Sequence, residues 1–509
     1  MKKRILACIV CLCVVLSIAQ TIVFAEDKEE RVTSINDNGF RVWSDDGKEF
    51  INRTSSTEGN VVVVDQAGNY NVTGSTTSYR IEIRITDETK VGTVTIVLNG
   101  ATIKPTTRGA AIGVAEECAE EAKVTIMLSE GSVNEVSSYD DAGISNLGRE
   151  LKIVGKGTLD ATGNGGAGIG GGYNGNGENI TISGNVTVNA TGGSGGACIG
   201  GGKNGNGSNI TISGNARVSA KCSDYGAGIG GGYNGNGENI TISGNVTVNA
   251  TGGKGGAAGI GGGYNGNGEN ITISGNVTVN ATGGDYYGGA GGAGIGGGFK
   301  GGNGKNIKIF GNAIVNAIGG PNGTGIGGSY NGNGENIEIS GSARVIAIGS
   351  SKNAAGIGGS YNGNGSNITI SGSARVIAKG ARGGTGIGGG YRGNGSNITI
   401  SGSARVYATG SENAAGIGGG EEGNGSNITI SGDSTIQVTS DKNGVGFGNG
   451  FGAIGKSKIT ISGGTIKTLD CIPFSDRPDL SNYNGGICKD RRDDSFISYA
   501  YRFVIIPGA

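Results

Sequence analysis

Between Ala167 and Ser440 apolar and polar residues alternate in short bursts, and the bursts recur. In "NITISGNVTVNA", which starts at Asn179, the apolar Ile180, Ile182, Val186, Val188 and Ala190 alternate with Thr181, Ser183, Thr187 and Asn189. Alternation of this kind predicts half-buried strands, and Gly184-Asn185 between the two runs predicts a corner. A third apolar pair, Ala167 and Ile169, lies in the glycine-rich segment ahead of the first run. Three inward-facing segments per unit, with no helical period in the array, predict one turn of a parallel β-helix.

The isoleucine of a Gly-Ile-Gly step marks the period. Ile169, Ile199, Ile229, Ile260, Ile295, Ile326, Ile357, Ile387 and Ile417 are spaced by 30, 30, 31, 35, 31, 31, 30 and 30 residues. A near-constant period of this size marks a solenoid, in which each unit covers the next and none is stable alone. Weaker copies around Ile112 and Ile144 lead in and Phe447 heads a degenerate last one, so the array is expected to run from about Thr93 to Leu469. The fold class is therefore all-β: a single-stranded, right-handed parallel β-helix of about 30 residues and three short strands per coil.

The chain divides accordingly into a leader at 1–25, a polar N-terminal segment at 26–59, the β-helix at 60–469 with its regular repeats at about 165–440, and a C-terminal segment at 470–509. A solenoid exposes unpaired strand edges at both ends, and the two flanking segments are expected to cap them. The apolar "FVII" from Phe503 fits such a cover and is too short to span a bilayer.

Composition sharpens this picture. Glycine supplies 112 of the 509 residues; it adopts positive φ at corners at a cost of about 0.5–1 kcal/mol each relative to alanine. Stacked Ile and Val side chains, worth roughly 1.5–3 kcal/mol each when buried, offset it. Lys2, Lys3 and Arg4 precede an apolar run from Ile5 to Phe24, and Val23-Phe24-Ala25 resembles a cleavage site, so residues 1–25 read as a secretory signal peptide, with a retained anchor as the alternative. The exported chain is expected to be secreted or held at a bacterial cell surface, without membrane contact once the leader is gone.

Its removal would leave 37 Lys and Arg against 41 Asp and Glu, which argues against nucleic acid as a partner. There is no histidine, which excludes Ser-His or Cys-His catalysis and His-ligated metals. Five cysteines remain after the leader, an odd number without paired metal spacing, so neither a disulfide scaffold nor a metal site is expected. Cys471 and Cys488, enclosing a polar loop, are the one expected disulfide.

The lead-in "YNVTGSTTSYRIEIRI", followed by "VTIVLNGATIK" and "LKIVGKGTLDATG", resembles the opening coils of pectate-lyase-like right-handed β-helix proteins, including carbohydrate-binding modules of secreted Gram-positive proteins. The "AGIGGG...NITISG" units resemble Gly-rich repeat surface proteins of such bacteria. The resemblance implies a spectrum from polysaccharide lyases to non-catalytic binders and adhesins. Lyases on this fold use Asp or Glu clusters holding calcium with an Arg or Lys base. The array's outward faces carry Thr, Asn, Ser and Gly, and Asn stands where a calcium-binding glycine repeat needs a carboxylate. No catalytic residue, metal or cofactor is therefore assigned.

Stacking converts each repeat position into a column. The position after GGG reads Tyr173, Lys203, Tyr233, Tyr264, Phe299, Tyr330, Tyr361, Tyr391 and Glu421, either an aromatic ladder covering the glycine corner or a sugar-stacking strip. An invariant column of Asn179, Asn209, Asn239, Asn270, Asn306, Asn336, Asn367, Asn397 and Asn427 is expected to satisfy backbone groups at its corner. The outward residues of the second strand change character, from Thr187/Asn189 to Arg344/Ile346/Ile348, Arg375/Ile377/Lys379 and Arg405/Tyr407/Thr409. Ile346, Ile377 and Tyr407 beside Arg344, Arg375 and Arg405 form either a groove for an acidic polymer or partner, or a face covered by the C-terminal tail. The reading as a whole is a non-enzymatic binder of polysaccharide or another host or cell-wall polymer, with a purely structural stalk and a polysaccharide lyase as alternatives.

Overall fold

The computed structural model describes residues 39–45, 52–55, 59–287, 289–469, 471–476, 485–489 and 503–507; the leader lies outside them. Over the described residues the chain winds as a right-handed parallel β-solenoid of about 13 turns. One coil consists of Gly177–Ile182, Thr187–Thr191 and the two-residue strand Ile199–Gly200. Each strand pairs in parallel with its equivalent one repeat later: Ile180 with Ile210, Val188 with Val218, Ile199 with Ile229. At roughly 4.8 Å per coil the stack is about 60 Å long.

The alternation sets which side chains enter the core. Ile180, Ile182, Val186, Val188, Ala190 and Ile199 are at most 2% exposed, and their equivalents form one apolar column from Phe40 to Ile466. The lead-in copies belong to the same stack, since Ile144 pairs with both Ile112 and Ile169. At the far end Phe447 pairs with Ile417 and, beyond the expected limit at Leu469, with Phe474 of a further short strand, Ile472–Phe474.

Both ends carry antiparallel strands. Arg41–Ser44 pairs with Gly68–Thr76, and Asn52–Ser55 pairs with Gly59–Val64. Phe503–Pro507, which holds the apolar "FVII", pairs with the last long strand, Thr465–Leu469, and with Gly485–Lys489. A reversed strand at each end occupies the hydrogen-bonding edge that would otherwise template another chain.

Glycine density has a cause beyond the corners. Gly170, Gly200 and Gly230 have φ of 130–134°, and a Cβ built on any of them would fall 2.0–2.2 Å from the carbonyl oxygen of the next coil's glycine. Coil-to-coil backbone contact at this column leaves no volume for a side chain.

Candidate functional site

The second strands of four successive coils, Ile314–Pro321, Arg344–Ser350, Arg375–Lys379 and Arg405–Thr409, bring the distinctive column together. Arg344 pairs with Arg375 and Arg375 with Arg405; Ile346 pairs with Ile377 and Ile377 with Tyr407. Alternation turns Val345, Val376 and Val406 into the core and these six residues outward. Ile346, Ile377 and Tyr407 are 38%, 48% and 47% exposed.

Stacking adds two residues that the sequence pattern did not single out. Ile314 pairs with Arg344 and Ile318 with Ile348, and both are about 40% exposed. The signal was present, because Ile314 and Ile318 replace the Thr278 and Thr282 of the preceding coil. The face is bounded by that Thr/Asn/Thr coil on one side and by Thr435, Gln437 and Thr439 on the other. Its twelve outward positions, Ile314, Asn316 and Ile318 through Arg405, Tyr407 and Thr409, contain Lys379 and three arginines but no carboxylate.

Three other basic side chains of these coils are paired across one repeat. Lys305 lies 3.8 Å from Glu335, Arg392 2.9 Å from Glu422 and Arg382 3.7 Å from Glu412. Arg344, Arg375 and Arg405 have no carboxylate within ion-pair distance among the described residues. The described strands of the C-terminal segment do not cover this face. They extend the sheet at its end, where Val504 pairs with Lys467 two coils beyond Tyr407.

The aromatic column is a ladder whose ring faces are occupied. Tyr330 and Tyr361 stack at 5.1 Å between centroids, Tyr361 and Tyr391 at 5.6 Å, and Tyr233 and Tyr264 at 5.2 Å. Phe299 bridges Tyr264 and Tyr330 at 5.4 and 5.7 Å. A sugar stacks on a ring face, and neighbouring rings already take those faces, so this arrangement corresponds to the structural ladder. Two rings from outside the column join it: Tyr225 packs edge-on to Tyr233 at 5.0 Å, and Tyr286 stacks on Phe299 at 5.3 Å. At the ends Lys203 sits over Tyr173 and Arg392 over Tyr391.

The invariant asparagines bond differently from the expectation. Asn179 donates to the Gly148 carbonyl, but from Asn209 onward each Nδ2 donates to the preceding asparagine's Oδ1 at 2.9–3.2 Å. Their backbones have φ of 53–57°, the left-handed region that Asn tolerates better than other side chains. A second column does the backbone work: the amide N–H of Asn206 donates to Asn176 Oδ1, and that bond repeats at 2.8–2.9 Å up to Asn424.

The lead-in coils gather charged side chains around one depression. An open depression is lined by Arg80, Glu82, Arg84, Glu116, Glu117 and Asp141. Glu82 accepts from both Arg80 and Arg84, and Arg84 reaches Glu117 at 3.1 Å. Asp141 accepts from the Tyr173 backbone N–H at 2.9 Å, and burial holds its carboxyl above the ordinary value of 3.8. In contrast with the Thr, Asn, Ser and Gly of the array's outward faces, the lead-in coils set carboxylates beside basic groups, because residues of Tyr79–Ile83 meet loop residues one and two coils later. No set of three or more Asp, Glu or Cys among the described residues is arranged to hold a metal.

The cysteines also depart from expectation. Cys198 and Cys222 of the array are bonded, with Cα atoms 5.5 Å apart. Cys471 is buried, and the side chain of Cys488, its expected partner, lies outside the described residues.

Comparison with known proteins agrees with the stack. Six segments, 151–173, 210–233, 240–264, 271–299, 337–361 and 398–421, match the family model of the Beta helix repeat. No curated protein and no solved structure matches the chain. Each matched segment ends at the residue that follows the glycine step and falls within one physical coil, so the chain carries β-helix repeats stacked as a β-solenoid.

Proposed function

We propose that the protein is a non-catalytic β-helix of the bacterial cell surface that binds an acidic extracellular polymer, a polysaccharide in the first instance, across the Arg344–Arg375–Arg405 face. The observation that carries this reading is a row of three unpaired guanidinium groups beside exposed Ile346, Ile377 and Tyr407, on a stretch of sheet face flanked by a Thr/Asn/Thr coil and a Thr/Gln/Thr coil. Guanidinium forks recognise carboxylate or phosphate in bidentate fashion. The adjacent aliphatic and aromatic surface suits the apolar face of a sugar ring, and such residues gain nothing from water contact alone. Export by the 1–25 leader would place the face outside the cell.

The test is binding of residues 26–509 to a panel of acidic polysaccharides, with neutral glucans as controls, by titration calorimetry. Arg344→Ala, Arg375→Ala and Arg405→Ala together are expected to weaken binding by about tenfold or more, and added salt to weaken the wild type in parallel. Binding that ignores all three changes removes the face. No binding to any polymer favours the stalk reading, which the self-satisfied Asn and aromatic ladders support. Release of unsaturated uronate, followed by ultraviolet absorbance, would instead favour a lyase and direct attention to the Arg80–Glu82–Arg84 depression.

A further inference from the structure

Two columns of the stack are glycine in nearly every coil. The first immediately precedes the short Ile-Gly strand and reads Gly168, Gly228, Gly259, Gly294, Gly325, Gly356, Gly386 and Gly416. The second follows the second strand, as at Gly163, Gly192, Gly252, Gly283, Gly380 and Gly410. Each column holds one cysteine, Cys198 in the first and Cys222 in the second, one coil apart and bonded to one another.

The second column takes Ser138 and Ser440 towards the ends of the stack, but around Cys198 and Cys222 neither column has room for a side chain in place of its glycines. A Cβ on Gly168 would fall 2.7 Å from the carbonyl oxygen of Cys198, one on Gly228 2.6 Å from that of Gly259, and one on Gly252 2.1 Å from that of Ala257. The surroundings are backbone, which cannot swing aside, and Cys198 and Cys222 are 0% and 7% exposed. Bonded sulfurs sit about 2.05 Å apart, whereas non-bonded heavy atoms of this size need about 3.5–4 Å. Two thiols therefore demand more space than the disulfide, in a place where the stack offers none.

We propose that Cys198–Cys222 is a redox-set clamp: the disulfide docks two successive coils, and its reduction drives them apart locally. The bond forms by thiol–disulfide exchange with an external disulfide oxidant such as oxidised glutathione. One cysteine thiolate attacks it to give a mixed disulfide and one released thiol. The second cysteine then displaces the remaining thiol, so two protein thiols become one disulfide and the oxidant becomes two thiols. The clamp also orders a turn with a function in the stack. Tyr225, three residues after Cys222, contacts Tyr233 and Tyr264 at 5.0 and 5.7 Å and lies where a Cβ on Gly255 would meet its ring at 2.0 Å.

The test uses the full exported chain purified without reductant. Tryptic mapping is expected to recover residues 157–203 joined to residues 222–254, separating on reduction. Melting is then compared for the oxidised wild type, the reduced wild type and Cys198→Gly/Cys222→Gly, which restores glycine in both columns. The reduced wild type is expected to melt several degrees below both other forms, with the Gly variant insensitive to reductant. Recovery of the two peptides unjoined, each carrying an alkylated cysteine, would overturn the clamp. So would a reduced wild type that melts together with the Gly variant, because the thiols would then fit the stack without displacement.

Discussion

At the scale of single residues, the stack discriminates by whether a Cβ can be accommodated. Gly200 has φ of 132° and a virtual Cβ 2.0 Å from the Gly230 carbonyl oxygen, so Gly200→Ala is expected to cost about 2–4 kcal/mol and to lower the melting temperature clearly. Exposed Ile377 is the contrast. Ile377→Thr should change stability by no more than about 0.5 kcal/mol while weakening polymer binding, which separates a binding role from a packing role. Asp141 carries the pH dependence at this scale. Its folded-state pKa is raised by burial, so its contribution to stability is greatest below the ordinary carboxylate value of 3.8 and is lost as the pH rises through the folded value. Melting curves of the wild type and Asp141→Asn across the acid range are expected to converge at low pH, where the carboxyl is protonated, and to separate in favour of the Asn variant as the pH approaches neutrality. Glu150, Glu412 and Glu422 are shifted the opposite way by Lys152, Lys442 and Arg392 respectively. The comparison therefore needs the Asn variant and not the wild type alone.

At the scale of elements, one coil is the unit of both sequence and structure. Removing residues 237–267 joins Asn236 to Gly268 and preserves the "NGNGENITI" run, so the shortened chain is expected to keep its circular dichroism per residue and melt cooperatively. Removing residues 237–251 instead deletes two strands of a coil and leaves its third, and is expected to abolish cooperative melting. Strand positions, inward faces and the Arg344–Arg375–Arg405 register were readable in the sequence because parallel stacking repeats a position about every 30 residues. Ile314 and Ile318 are legible by the same rule, since they replace Thr278 and Thr282 one repeat earlier. Tyr225 and Tyr286 were not readable at all. They lie in turns of irregular length, and Tyr286 belongs to a small hairpin, Asp285–Tyr286 with Ala290–Gly291, formed in the 35-residue repeat.

At the scale of the whole molecule, small-angle scattering should report a rod of about 60 Å, with the antiparallel strands at each end limiting growth by end-to-end pairing. Period and alternation alone determined the solenoid, its core and the columns of Asn, aromatic and Arg residues, since each follows from local pattern multiplied by stacking. The tertiary structure decided what those columns do. It filled the aromatic faces with one another and left the arginines without carboxylates. It also joined Cys198 to Cys222 and assembled the Arg80–Glu82–Asp141 depression from three coils. These outcomes depend on lateral neighbours and on the paths of unequal turns, which a one-dimensional repeat does not encode.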